Sequence, residues 1–191
     1  MSLEDRKIVL AITGASGSMY ARTLIDKLQN LESAPAEIAV ILSSTARDIW
    51  MDEIGSKFES KATAKEYDNN TYYAPFASGS SMYDTMIICP ASMGITGRIA
   101  NGTSDDLIAR TADVILKERR RLILVPREMP FSLIHVENLR KLLLAGAIVC
   151  PASPSFYSKP ETIGDLVNTV VDRIIDLAGF KNNTYRWQDN G

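Results

Sequence analysis

With 191 residues, 46% of them hydrophobic and 23% charged, the chain can bury one sizeable core, and its formal net charge of −2 gives no basis for a nucleic-acid or anionic-membrane partner. No apolar run approaches the roughly 18 residues of a membrane span, and the N-terminal MSLEDRK lacks the apolar region of a secretory leader. Two cysteines, Cys89 and Cys150, and a single histidine, His135, are too few for a disulfide framework or a His-rich metal site, so a reduced cytoplasmic setting and no metal centre are expected.

Residues 8–12 are a short β-branched run and predict a strand. Thr13-Gly14-Ala15-Ser16-Gly17 follows as a tight turn of small residues. Tyr20, Leu24, Leu28 and Leu31 then recur at helical spacing, which predicts a helix over 16–30. Such a strand–turn–helix unit can offer backbone amides to an anion at the helix N-terminus. It is neither the dinucleotide fingerprint nor a P-loop. Residues 37–42 read as a second strand, and Ser43 as the N-cap of a helix reaching about Ile54. Residues 55–71 are polar and irregular and predict no element. Residues 72–81 read as a loop from their Pro, Gly and Ser content.

Residues 85–89 predict a buried strand stopped by Pro90. A helix over 91–100 is ended by Asn101-Gly102, and Thr103 with Asp106 reads as a capping box for a helix to Lys117. Residues 122–125 form another strand pattern. Pro130 and Ser132 open a helix to Leu144, ended by Gly146, and residues 147–150 read as the last strand. His135 falls where it would pack or cap near that helix start. Thr162 with Asp165 makes a second capping box, and Ile163, Val167, Val170, Ile174 and Ala178 mark one face of the final helix.

Strands alternating with helices, each strand a continuous apolar run, imply a parallel sheet covered on both faces. The expected architecture is α/β: a three-layer Rossmann-like (flavodoxin-like) sheet in one domain over 1–191, with a tail from about 180. In such sheets ligands bind beyond the carboxyl ends of the strands. Five post-strand segments, at 13–17, 43–44, 90–96, 126–130 and 151–157, should therefore share one edge. Their small polar residues suit a phosphate-bearing ligand. Arg127 and Glu128 are the charged pair directly following a strand in this set. An Arg there can fork onto phosphate, and a Glu beside it can move a proton if its surroundings raise its pKa.

Thr13-Gly14-Ala15-Ser16-Gly17, Pro90-Ala91-Ser92-Met93, Leu116-Lys117-Glu118-Arg119-Arg120, Pro126-Arg127-Glu128-Met129-Pro130, Ala145-Gly146-Ala147-Ile148 and Phe156-Tyr157 with Pro160 resemble, in order and spacing, the UbiX-like flavin prenyltransferases. The resemblance covers nearly the whole chain. It implies a Rossmann-like FMN protein that needs no metal. The reaction is transfer of a dimethylallyl group from dimethylallyl phosphate to N5 and C6 of reduced FMN. It also implies a homo-dodecamer with sites at subunit interfaces, and a partner decarboxylase that receives the prenylated FMN.

By position, the resemblance makes Ala15, Ser16, Gly17, Ser43, Ser92, Met93, Gly94, Ile95 and Arg127 the FMN contacts. Tyr157, Arg173, Lys117 and Arg110 match the donor-phosphate residues, and Trp187 a tryptophan that covers a neighbouring subunit's site. Ser16, Glu128, Lys117 and Glu53 match the groups at the chemistry. Glu128, Ser16 or the released phosphate takes the proton lost at C6. One departure stands out: many relatives have Lys-Thr after the Ser-Met pair, where this chain has Gly94-Ile95, which can supply only backbone contacts.

Spacing alone gives plainer readings. Lys117 is then a solvated helix end, Glu53 an exposed helix residue, Arg173 a surface arginine, Ser43 an N-cap, Tyr157 a packing residue, Trp187 a tail aromatic, and the two cysteines small core residues. Two other functions compete: an FMN-dependent cysteine-type decarboxylase, and an FMN-binding subunit without catalysis. The first usually needs an early histidine and a Met-Asn-rich clamp. This chain has His135 alone, and Arg127-Glu128-Met129-Pro130 where the clamp would lie. Glu128, Lys117, Tyr157 and Arg173 argue against the second.

Overall fold

In a computed structural model, which describes residues 5–61 and 63–186, six strands alternate with the helices. They are β1 (Lys7–Ile12), β2 (Glu37–Leu42), β3 (Ala64–Asp68), β4 (Tyr83–Ala91), β5 (Arg121–Pro126) and β6 (Ile148–Val149). All pair in parallel, in the order β3-β2-β1-β4-β5-β6. Parallel neighbours need a crossover, and the helices supply it. They are α1 (Ser18–Gln29), α2 (Ser44–Ile54), α3 (Met93–Ala100), α4 (Leu107–Lys117), α5 (Leu133–Leu144) and α6 (Ile163–Leu177).

Side chains alternate across the sheet and build two cores. Ile8, Leu10 and Ile12 pack with residues of α1, α2 and α6 on one face. Val9 and Ala11 pack with α3, α4 and Leu142 of α5 on the other. The three-layer architecture is the expected one. Among the described residues, no helix is long and apolar enough to cross a membrane.

Several local readings are corrected. β3 arises inside the stretch read as irregular. It is an edge strand paired only to β2, and its sequence AKEYD is polar. Edge strands resist unwanted pairing by carrying charge, which removes the apolar signature. β4 does not stop before Pro90 but runs through it to Ala91. The ladder to β5 shifts register between Ile88 and Ala91, and that irregularity accommodates a residue with no N–H to give.

The Thr103 capping box does not form. Asp106 is itself the N-cap of α4, accepting from the Ala109 amide at 2.8 Å. The Thr162–Asp165 box forms as read, and Ser132 pairs reciprocally with His135 at the start of α5. Ile163 is 70% exposed, because the first turn of α6 precedes its contact with the sheet. Within the polar tail, Phe180 is buried, with the Arg6 guanidinium 4.4 Å above its ring.

α5 is the exception to good coverage. Only Asn138 and Leu142 are buried on it, while Leu133, Ile134 and Leu144 are each more than 70% exposed.

Candidate active site

At the carboxyl edge, β1 is flanked by β2 and β4, and the chain leaves these two neighbours towards opposite faces of the sheet. This is the topological switch point where ligands of open parallel sheets lie. A cleft of about 730 Å³ opens there, lined by Thr13, Gly14, Ser43, Thr45, Ser92 and Gly94 among others. Thr13 stitches the floor together. Its hydroxyl donates to the Pro90 carbonyl at 2.8 Å and accepts the Ser92 amide at 2.9 Å. That fixes where α3 begins.

The helix N-termini on this edge fall into two kinds. At α1 the anion is the protein's own. The Glu53 carboxylate, from α2, accepts the Gly17 amide at 3.0 Å and the Ser18 amide at 2.7 Å. Burial pushes the Glu53 carboxyl up, but hydrogen bonds from the Ser16 hydroxyl and the Gly17 and Ser18 amides outweigh it and hold the group below its ordinary value. The glycine turn is thus already filled by a carboxylate. At α4, Asp106 and the Asn69 carbonyl oxygens occupy the terminus.

α2 and α3 differ. Their caps are the neutral hydroxyls of Ser43 and Ser92, which accept the Ala46 and Ile95 amides at 3.1 and 3.4 Å. The amides of Ser44, Thr45, Met93 and Gly94 find no acceptor among the described residues. Two positive helix ends therefore converge on the cleft without a protein carboxylate at either. Gly94 keeps the entrance open, since a Cβ there would meet nothing nearer than the Ser92 hydroxyl at 3.8 Å.

A model of the Flavoprotein family matches residues 1–175. The flavin prenyltransferase UbiX of Methanocaldococcus jannaschii is 43% identical over 184 residues, covering 95% of this chain and 98% of that protein. The chain belongs to the flavin prenyltransferase family. Solved structures agree. AnUbiX (PadA1), in complex with FMN and dimethylallyl pyrophosphate, superposes with a TM-score of 0.87 at 37% identity, covering 96% of this chain and all of that one. The dodecameric FMN-dependent UbiX-like decarboxylase of Escherichia coli O157:H7 gives 0.86 at 37%, covering 95% and 99%.

The family-matched residues do not all meet within one chain. Ser43, Ser92, Gly94 and Ile95 line the same cleft. Ile95 does so through its backbone, because its side chain is buried in the core. Met93 is also buried. Ala15, Ser16 and Gly17 adjoin them on the β1 turn, with Ser16 exposed. Arg127 leaves β5 beside that turn. Its Cδ lies 3.6 Å from where a Gly17 Cβ would stand, an ordinary contact distance; the φ of +121° and the Tyr20 ring at 3.0 Å are what disfavour a side chain at Gly17. Glu128 is exposed and accepts the Met129 amide at 3.0 Å.

Arg173 lines a second cleft of about 520 Å³ between α6 and the loop after β6, with Ser155, Lys159, Asp172 and Tyr185. Its charge reaches Cys150 at the end of β6, where burial raises the thiol pKa and Arg173 opposes the rise. Tyr157 is exposed on the same loop. Arg110 donates to the Ala77 carbonyl at 3.2 Å and pairs with Asp113.

Lys117 is elsewhere. It ends α4, pairs with Glu118 at 2.9 Å, and approaches Gly79, which precedes β4. That is the edge where strands begin, opposite the cleft. Trp187 lies outside the described residues. Beside Thr13 of the glycine turn and Asp106 of the expected capping box, Thr45, Arg98 and Asn69 enter the cleft region without having been singled out from sequence. Their signal is position alone, immediately after a strand or one helical turn beyond Gly94. Among the described residues, no group of three or more His, Cys, Asp or Glu is placed to hold a metal.

Glu53 makes a pH prediction. Its folded pKa lies below its unfolded value of about 4.3. Its stabilising contribution is therefore complete above that value and disappears as pH falls through the folded one. Glu53→Gln keeps an acceptor oxygen but loses the titration. Melting temperature measured from about pH 6 down to pH 3 should fall less steeply for the variant than for the wild type. Parallel acid limbs would remove this role for Glu53.

Proposed function

We propose that this chain transfers the dimethylallyl group of dimethylallyl phosphate to N5 and C6 of reduced FMN, as a cytoplasmic homo-dodecamer, and passes the prenylated FMN to a partner decarboxylase. The observation that carries the reading is the pair of serine-capped helix N-termini, at α2 and α3, converging on a cleft at the switch point. A dianionic phosphate fits this donor set. The amides of Ser44, Thr45 and Gly94 and the hydroxyls of Ser43, Thr45 and Ser92 can surround it without bulk.

When bound, reduced FMN supplies the nucleophilic N5 and C6 atoms. The chain's part is placement and charge. Glu53 holds the Ser16-Gly17-Ser18 turn through the Ser16 hydroxyl and the Gly17 and Ser18 amides, with Arg127 approaching the same turn at Gly17. Allylic C–O cleavage sends the bonding pair to the departing phosphate. Arg173 and Tyr157, together with Lys117 from another copy, suit the stabilisation of that charge. Glu128, Ser16 and the phosphate itself are the candidates to take the proton lost at C6. The free thiols Cys89 and Cys150 agree with a reducing compartment.

The test is direct. The purified protein is incubated without oxygen with reduced FMN and dimethylallyl phosphate, and the released flavin is weighed by mass spectrometry. A gain of one C5 isoprenyl unit supports the reading. Unmodified flavin, under conditions where FMN demonstrably binds, would sink it.

A further inference from the structure

Arg98 sits on α3, one helical turn beyond Gly94, and its side chain lines the α2–α3 cleft while remaining 33% exposed. Two aspartates hold it. Asp105 accepts at 2.5 Å and Asp106 at 2.8 Å, and both contacts use the same nitrogen, Nη1. Among the described residues, Nε and Nη2 have no hydrogen-bond acceptor. The guanidinium therefore keeps a planar pair of donors in reserve, the geometry that matches two oxygens of one phosphate.

Its anchor is firm. Asp106 is tied by its role as the α4 N-cap and by a 3.2 Å hydrogen bond from the Asn69 amide. Asp105 is exposed, so its charge is weakened by solvent. Gly94 contributes no side chain between the helix end and the guanidinium. The cleft's other cation, Arg47, is more exposed and paired at 2.6 Å with Glu66 on the edge strand β3.

We propose that Arg98 is the side chain that grips the flavin phosphate in this protein, with Nε and Nη2 as the fork. The proposal rests on the FMN reading above. It makes α3 contribute twice to one anion: amides at its start, a guanidinium one turn later.

Flavin binding separates this role from a structural one. The full chain, dialysed free of flavin, is titrated with FMN and with riboflavin, which lacks the phosphate, and fluorescence quenching gives each dissociation constant. Arg98→Ala should weaken FMN by about tenfold or more, the loss of a charged hydrogen-bonded pair, and leave riboflavin within about twofold. Arg98→Lys keeps the charge and the Asp106 contact but loses the fork. It should fall between the two, and it carries the test if the alanine variant does not fold. Arg47→Ala should change FMN binding less than about threefold, as expected of an exposed pair. Equal weakening of FMN and riboflavin, no change in either, or a larger effect at Arg47 than at Arg98 overturns the proposal. A wild-type protein that binds FMN no better than riboflavin overturns the α2–α3 phosphate site as well.

Discussion

Co-assembled from two variants that are each inactive alone, Lys117→Ala and Ser16→Ala, the protein should recover transferase activity. Ser16 stands on the edge where strands end, and Lys117 at the edge where they begin. Between the edges runs α4, whose 11 residues span about 16 Å at 1.5 Å per residue. Its helix is packed on the sheet through Leu107, Ile108, Ala112 and Ile115, all buried. No local rearrangement brings the Lys117 ammonium to the Ser16 turn of the same chain. If both residues serve one reaction, they must come from different copies.

Each homogeneous variant should then lose about a hundredfold or more of its turnover, because charge stabilisation of a departing phosphate acts in the transition state. In an equal mixture, a site drawing one residue from each of two neighbours is intact in about a quarter of random pairings. The measurement is co-expression with two different tags, tandem purification, and mass spectrometry of the flavin product. No recovery in the mixed assembly, with both single variants inactive, would place Lys117 and Ser16 in the same chain's site.

What could be read from the sequence divides along physical lines. β1, β2, β5 and α6 were legible because burial on both faces leaves continuous apolar runs and a regular helical stripe. β3 was not, since an edge strand hides its period under Lys, Glu and Asp. Ser43 was legible as a cap because capping is a local act, three residues in reach. Glu53 was not. Its contacts lie 35 and 36 residues away, and only the folded packing of α2 beside α1 makes this helix residue, exposed as its spacing predicts, the anchor of the β1 turn.

The glycine turn shows the same limit from the other side. Its residue types do suit an anion at a helix N-terminus, but sequence could not say that the anion was internal. The helix ends without a protein carboxylate are at α2 and α3, behind the capping serines Ser43 and Ser92. Resemblance supplied residue types for Lys117 and Arg173. It implied sites at subunit interfaces, and the fold puts Lys117 of one chain at the edge opposite its Ser16.

A single charge on the bare side of α5 should dismantle the assembly and, with it, the activity. Leu133, Ile134 and Leu144 expose more than 70% of their surface, and Met129 and Phe131, just before the helix, are exposed as well. Exposed apolar side chains gathered on one element, here flanking the exposed Arg140–Glu137 pair, mark a contact between protein molecules. Fully burying a leucine of this size is worth about 1.5–3 kcal/mol, and closed symmetry repeats the contribution in every copy. Leu144→Asp replaces that gain with the desolvation of a carboxylate in an apolar contact, an unfavourable exchange of several kcal/mol.

Light scattering should show species smaller than the wild-type assembly. The variant's own fold should survive, because Leu144 belongs to neither core. FMN binding should persist within severalfold, because the α2–α3 cleft is built by one chain. On the reading that a neighbour supplies Lys117, prenyl transfer should fall by about a hundredfold or more. Full turnover by a dissociated variant would show that a lone chain completes its own site. An intact assembly would show that this face of α5 is not where copies meet.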